Sequence, residues 1–444
     1  MRLCASILAI LFTMSADAAD QARLIVLDPG HFHAALVQKD MYPSLDPTVS
    51  VYAPMTPDVV DYLNRVALFN TRKDNPTAWK IELHAGPDYF ERMLKEHPGN
   101  VVVLAGRNRP KIDRIEASIG AGLNVLCDKP WIIHSRDLPR LEHVLEEAKH
   151  KHLVAYDIMT ERYEITSILQ KDLVNDENIF GKLVSGSDND PAIKARSIHH
   201  LMKVVAGVPL RRPVWFFDVN EYGEGLADVG THLVDLVQWT AFPNDSIDYR
   251  KDVQLIAARR WPTVLSQSDF ERVTGETQFP ASLAEHVKDG MLDYDCNNAV
   301  QYAVRGAHIA LDVRWNWESP NGDIYEASFH GTKSKIELRQ GAAENFVPEL
   351  YVVSTDPEVF KALQHWAAAM RKTYPGLAIE QRSGEARLAI PQRFRVGHEE
   401  HFAQVTNRFF DYLKAPSTMA AWEESNMVVK YFISTRGSEI ARDH

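Results

Sequence analysis

The feature that most constrains this chain is an alternation of short apolar runs with helical stretches across its first third. Arg23 to Leu27, Val49 to Ala53, Asn100 to Ala105, Asn124 to Cys127 and Leu153 to Tyr156 are runs too short and too apolar for anything but buried strands. Between them, Phe32 to Lys39, Pro57 to Asn64 and beyond, Tyr89 to Lys95, Ile112 to Gly120 and Leu138 to Lys149 carry helical spacing, with Thr56 as an N-cap. Strands that alternate with helices at this spacing predict a doubly wound parallel sheet. Ligands of such sheets bind at the carboxyl ends of the strands. Gly30, Asn108 and Lys129 fall there.

From Tyr156 onward the alternation stops. Glu164 to Leu173 reads as a helix, and Asp188 to Val214 as polar and irregular chain that includes His199 and His200. The runs Val253 to Arg260, Cys296 to Val304, His308 to Trp317, Ile324 to His330, Lys335 to Leu338 and Leu350 to Val353 predict an open, mostly antiparallel sheet with one face covered. Helices are expected over Glu358 to Tyr374, His398 to Leu413 and Glu423 to Thr435. The fold class is α/β, a Rossmann-like domain followed by an α+β domain. At 444 residues, two cores are expected. The expected division is 22–156 and 157–444, with the helices of 398–436 packing back on the first domain.

The start of the chain reads differently. Arg2, an apolar core from Leu3 to Met14 and the small-x-small site Ala16-Asp17-Ala18 make residues 1–18 a secretory signal peptide, which places the mature protein in the periplasm or outside the cell. The mature chain would keep Cys127 and Cys296, and one disulfide is compatible with that compartment. A formal charge of −11 argues against nucleic acid as a partner, and no further segment is apolar enough to span a membrane.

The chemistry concentrates in Gly223 to Trp239, a glycine-flanked turn that runs into an apolar helix. Asp228, His232 and Asp235 stand at i, i+4 and i+7, on one helical face. A carboxylate beside an imidazole is the usual means of moving a proton near neutral pH. A capped helix with a satisfied core histidine fits the same residues. The 18 histidines show no zinc-like spacing with a third ligand, so no metal site is expected.

Taken in order, these segments resemble the glucose–fructose oxidoreductase / inositol dehydrogenase (Gfo/Idh/MocA) family, and within it a secreted branch. Cys127-Asp128-Lys129-Pro130 is similar to its Glu-Lys-Pro, and Gly223 to Asp235 to its Gly-Gly-x-x-x-Asp-x-Gly-x-His-x-x-Asp helix. Asn108 sits where the family has Pro-Asn, and Glu161-Arg162-Tyr163 resembles its Asn-x-Arg-Phe. Phe180-Gly181-Lys182-Leu183 and Gly331-Thr332-Lys333-Ser334 resemble two of its turns.

The resemblance implies oxidation of a sugar or glycoside with tightly bound NAD or NADP. It makes His232 the acid or base, Lys129 the holder of the reacting oxygen, and Asp228 the group that orients the imidazole or a substrate hydroxyl. It places Gly30, His31, Ala105, Asn108, Asp128, Lys129 and Pro130 at the cofactor; Arg162, Tyr163, His199, Trp215 and Asp235 are the candidates for the substrate wall, since aromatic faces and fixed charges suit a polyol. The open face of the second sheet also suggests a homo-oligomer. Two departures stand out. The first turn, Asp28-Pro29-Gly30-His31-Phe32-His33, keeps one of three phosphate-loop glycines, and Ala53-Pro54 replaces the ribose-binding acid. His31 and His33 are left to cap phosphates, line the pocket or fill the turn.

Two other outcomes share this reading. One is redox-neutral, NAD-dependent glycoside cleavage on the same site. The other is a cofactor-less carbohydrate-binding or interaction protein on this scaffold.

Overall fold

The computed structural model describes residues 21–205 and 208–443; the leader assigned to 1–18 lies outside them. The first sheet has six strands: β1 (Leu24–Leu27), β2 (Thr48–Ala53), β3 (Lys80–Ala85), β4 (Val101–Leu104), β5 (Asn124–Cys127) and β6 (Ala155–Asp157). Their order is β3-β2-β1-β4-β5-β6, and every pairing is parallel. β1 and β4 are buried along their whole length, as strands covered on both faces must be. Helices α1 (His33–Leu36), α2 (Pro57–Thr71), α3 (Tyr89–Glu96), α4 (Lys111–Gly120) and α5 (Leu138–His150) connect them.

Three details differ from expectation. β3 was not legible, because Lys80, Glu82 and Ala85 leave this edge strand half exposed. α1 spans four residues instead of the eight expected from 32 to 39. Cys127 and Cys296 are free and buried, one in each sheet, so no disulfide joins them.

After α6 (Ile165–Val174), a second, larger sheet runs in the order Val253–Leu265, Met291–Val304, Ala307–Glu318, β7 (Ile193–Met202), Ile324–His330, Lys335–Arg339, Glu349–Val353, Glu385–Ala389 and Ala378–Arg382. All its pairings are antiparallel except the one between Ala307–Glu318 and β7. β7 lies inside the segment expected to be irregular. It alternates correctly, with Ile193, Ala195 and Ser197 buried. Lys194 and Arg196 on the outer face disguise it.

α7 (Val229–Ala241) packs on the inner face of this sheet, and Leu233, Val234 and Val237 join Val300, Leu311 and Val313 in one core. The helix His398–Lys414 returns to the first lobe and buries Phe402, Val405 and Phe409 against Val26, Val51 and Val103. The C-terminal helix Ala421–Arg442 touches both lobes. Met427 and Tyr431 pack with the first sheet's core, and Val429 and Ile433 with the second's.

The carboxyl ends of β1 and β4 approach so closely that a Cβ at Gly106 would collide with the Asp28 carbonyl oxygen. Gly106→Ala must push two buried strands apart and is expected to cost about 1–3 kcal/mol. Thermal melting checks this, and an unchanged midpoint would contradict the contact.

Candidate active site

Lys129 leaves the end of β5 and reaches across to the second lobe, where its Nζ donates to Oδ1 of Asp228. The pair is almost wholly buried, with side-chain exposures of 7% for Lys129 and 2% for Asp228. The segment before α7 is fixed from several sides. Asn298 Oδ1 accepts from the Leu226 N–H, and its Nδ2 donates to Glu224. Arg442, at the end of the last helix, also donates to Glu224. Asp228 then caps α7 by position, with the Thr231 hydroxyl donating to its carbonyl.

Lys129, Asp228 and His232 line one cavity of about 300 Å³ between the lobes, together with His31, His33, Glu161, His199, Trp315 and Asp323. Burial works against both charges of the Lys129–Asp228 pair. Their mutual attraction outweighs it, holding the lysine above and the carboxylate below their ordinary ranges. His232 goes the other way: burial first, and the Lys129 charge next, keep its imidazole neutral, well below its ordinary value. Its Nδ1 has no hydrogen-bond partner. The site therefore holds a fixed cation, its counter-ion and a neutral imidazole able to accept a proton. Asp228 steadies the lysine, and among the described residues no hydrogen bond joins it to the His232 ring.

Of the expected substrate residues, His199 lines the cavity. Burial holds it down at about 4, against the Asp323 charge. Asp323 is bound by the His200 N–H at 3.0 Å and Lys203 Nζ at 2.8 Å. Arg162, Tyr163, Asp235 and Trp215 are not at this cavity. Arg162 forks onto Asp235 with two bonds of 2.6 Å and onto Glu423 at 2.8 Å. Lys430 lies 3.6 Å from the same Asp235. The i+7 position of Asp235 turns it away from Asp228, toward the last helix. Tyr163 packs with the first lobe's core.

Trp215 belongs to a second cavity, of about 250 Å³, on the other side of His31 and Phe32. Its ring lies over Gly30, and its Nε1 donates to Asp58 at 2.9 Å. Asp58, Arg211 and Tyr62 share this wall.

Of the residues expected at a cofactor, His31 lines both cavities, Lys129 the first and Gly30 the second, while Ala105, Asn108, Asp128 and Pro130 line neither. The N–H groups of Gly30 and His31 donate to the Ala105 carbonyl at 3.0 and 2.8 Å. Asn108 is locked, donating to the Tyr222 carbonyl at 2.6 Å and accepting from Lys111 at 2.7 Å. Asp28 turns away from the crevice onto Arg114 at 2.7 Å. Its φ of 46° lies in the left-handed region. Asp128 faces His31 and His33. Pro130 follows Lys129 through a cis peptide bond.

Glu161 was read only as part of a motif, yet it lines the cavity. Burial, with the Glu164 charge, raises it to about 7 against the opposing pull of Lys129 and Lys203. The unfolded side chain ionises lower, so the folded chain holds an extra proton between the ordinary glutamate range and pH 7. Stability from this group is present at acid pH and falls as pH rises through that window. Glu161→Gln is expected to exceed the parent in stability at pH 8 by on the order of 1–2 kcal/mol and to match it at pH 4. Urea unfolding at the two pH values decides; equal stabilities at pH 8 would remove the shift.

Lys129 from the first lobe and Asp228 and His232 from the second meet in one cleft, in a chain of oxidoreductase class. Within that class, the chain belongs to the family described as "Putative oxidoreductase C terminal domain", whose profile matches residues 169–442. A solved structure of a putative oxidoreductase from Parabacteroides merdae shares 44% identity, with 96% of this chain and 98% of that one aligned at a TM-score of 0.92. Levoglucosan dehydrogenase, solved with NADH and L-sorbose, aligns over 95% of this chain and 97% of its own at 13% identity and a TM-score of 0.60. A putative myo-inositol dehydrogenase from Sinorhizobium meliloti aligns over 95% and 98% at 12% identity and 0.55. These last two share the fold. No curated protein sequence matches.

Proposed function

We propose that this chain oxidises a secondary hydroxyl of a sugar or glycoside with tightly held NAD or NADP. The observation that carries the reading is the Lys129–Asp228 pair, built from both lobes, facing a neutral His232 in one cavity. A dinucleotide fits the two cavities flanking His31–Phe32. Beside the first turn, Asp58 offers a carboxylate for a ribose hydroxyl, Trp215 an aromatic face and Arg211 a cation for phosphate. Bound there, the nicotinamide supplies the hydride acceptor.

The protein's own residues do the rest. Lys129 holds the substrate oxygen and stabilises the alkoxide as it develops. Asp228 keeps the ammonium in place, and His232 takes the hydroxyl proton. His199, Trp315 and Asp323 offer polar and aromatic contacts suited to a polyol. Levoglucosan dehydrogenase, complexed with NADH and a sugar, supports the same class of substrate for this fold. The leader of residues 1–18 supports a site of action outside the cytoplasm. The outer sheet face around Arg196, Arg259 and Arg339 is where we place self-association.

The test is to denature purified protein, scan the released small molecules for a nicotinamide dinucleotide, and then offer sugars and nitrophenyl glycosides. Released dinucleotide with sugar oxidation is expected. Nitrophenol release without net reduction would point to redox-neutral cleavage. Absence of both dinucleotide and turnover would sink the reading.

A further inference from the structure

His31, His33 and Asp128 converge on one point at the wall of the Lys129 cavity. Nδ1 of His31 and Nδ1 of His33 lie 2.8 and 3.0 Å from the same Asp128 oxygen, Oδ2. The two imidazole rings are 4.0 Å apart, and one donor atom from each of the three residues falls within 4.8 Å of the others. We propose that these three side chains bind a divalent transition-metal ion, with its remaining positions open to the cavity.

Asp128 is 3% exposed. Among the described residues only the two histidines reach its carboxylate: Lys129 is engaged by Asp228, and Lys111 donates to the Asp128 backbone carbonyl instead. A buried carboxylate without a fixed cation is costly. Two of the atoms concerned are also unsatisfied. Asp128 Oδ1 is buried without a hydrogen-bond partner, and the 3.0 Å approach of His33 Nδ1 to Oδ2 lacks hydrogen-bond geometry. A structural His–Asp contact would leave this deficit in place, whereas a bound cation removes it.

The donor set, two imidazole nitrogens and a carboxylate oxygen, suits zinc, manganese, iron or cobalt and disfavours calcium or magnesium, which take oxygen ligands. His398 and Phe402 pack against the His33 ring at 5.3 and 4.6 Å and fix its plane. Since His31 and His33 line the cavity, the open positions would take oxygens of the molecule bound there, such as a hydroxyl or carbonyl. No sequence spacing announces the site, because Asp128 is 97 residues from His31.

The experiment uses the full chain, stripped with chelator and free of nucleotide and sugar, so it is independent of the proposed reaction. Co²⁺ is titrated while visible absorption is recorded. One Co²⁺ per chain with a nitrogen/oxygen ligand-field spectrum is expected. His31→Ala, His33→Ala and Asp128→Asn should each weaken binding by about 100-fold or more, with the fold checked by circular dichroism. His308→Ala, at a separate contact with Asp188, should bind like the parent. X-ray absorption of the Zn²⁺-loaded parent needs no variant and should count two imidazoles. A spectroscopically silent titration, an unaltered affinity in the His31→Ala/His33→Ala double variant, or fewer than two imidazoles overturns the proposal.

Discussion

Lys129→Met is expected to lower turnover by about 10³-fold, the scale of losing one charged donor at a developing oxyanion. It should also destabilise the fold by about 3–5 kcal/mol, because Asp228 would remain buried without its counter-ion. The two effects separate in the double variant Lys129→Met/Asp228→Asn. Removing the orphaned charge should restore most of the stability and none of the activity. His232→Ala gives the complementary result. Its imidazole is neutral and its Nδ1 unpaired, so stability should change little while turnover falls by about 10²–10⁴. Urea unfolding and steady-state rates measure all four proteins. Near-parental turnover in the lysine or the histidine variant would remove that residue from the chemistry.

The second large effect lies away from the cavity. Arg162→Leu is expected to lose about 3–5 kcal/mol of stability, since it strands Asp235 and Glu423 in the interior. Lys430→Met should cost a similar amount, because Lys430 lies 2.7 Å from Asp157 of the first lobe and 3.6 Å from Asp235 of the second. In both variants the folded fraction should keep the parental KM. A raised KM with unchanged stability would return Arg162 and Asp235 to the substrate site, where the motif resemblance had put them.

That reassignment shows what was legible. Helical periodicity places Asp228, His232 and Asp235 on one side of an ideal helix. Asp228 in fact stands before the first turn of α7, so its direction is set by the capping backbone, while Asp235 lies well inside the helix. Periodicity carries no information about which neighbour each carboxylate meets, and here the neighbours are Lys129 and Arg162, 99 and 73 residues away.

The first sheet was readable because Val101 to Leu104 and its parallel partners are buried on both faces. β7 was not, since Lys194 and Arg196 carry its charge on the open face and hide a strand at the middle of the sheet. Ala378–Arg382 was missed for the reason that β3 was: at an exposed edge, little apolar pattern is required. The triad of His31, His33 and Asp128 exists only because the segments that follow β1 and β5 meet across the end of β4, which lies between those strands.

The helix Ala421–Arg442 is the tie between the two lobes. Lys430 neutralises one acid from each lobe, Tyr431 donates to Asp157, and Arg442 reaches back to Glu224 ahead of α7. Without this helix Asp157 loses its cation, whereas Asp235 keeps Arg162 and Glu224 keeps Arg260. Closure of the cleft therefore depends on residues 421–442. Removing this helix would loosen the contact between the lobes, although it is far in sequence from the first sheet.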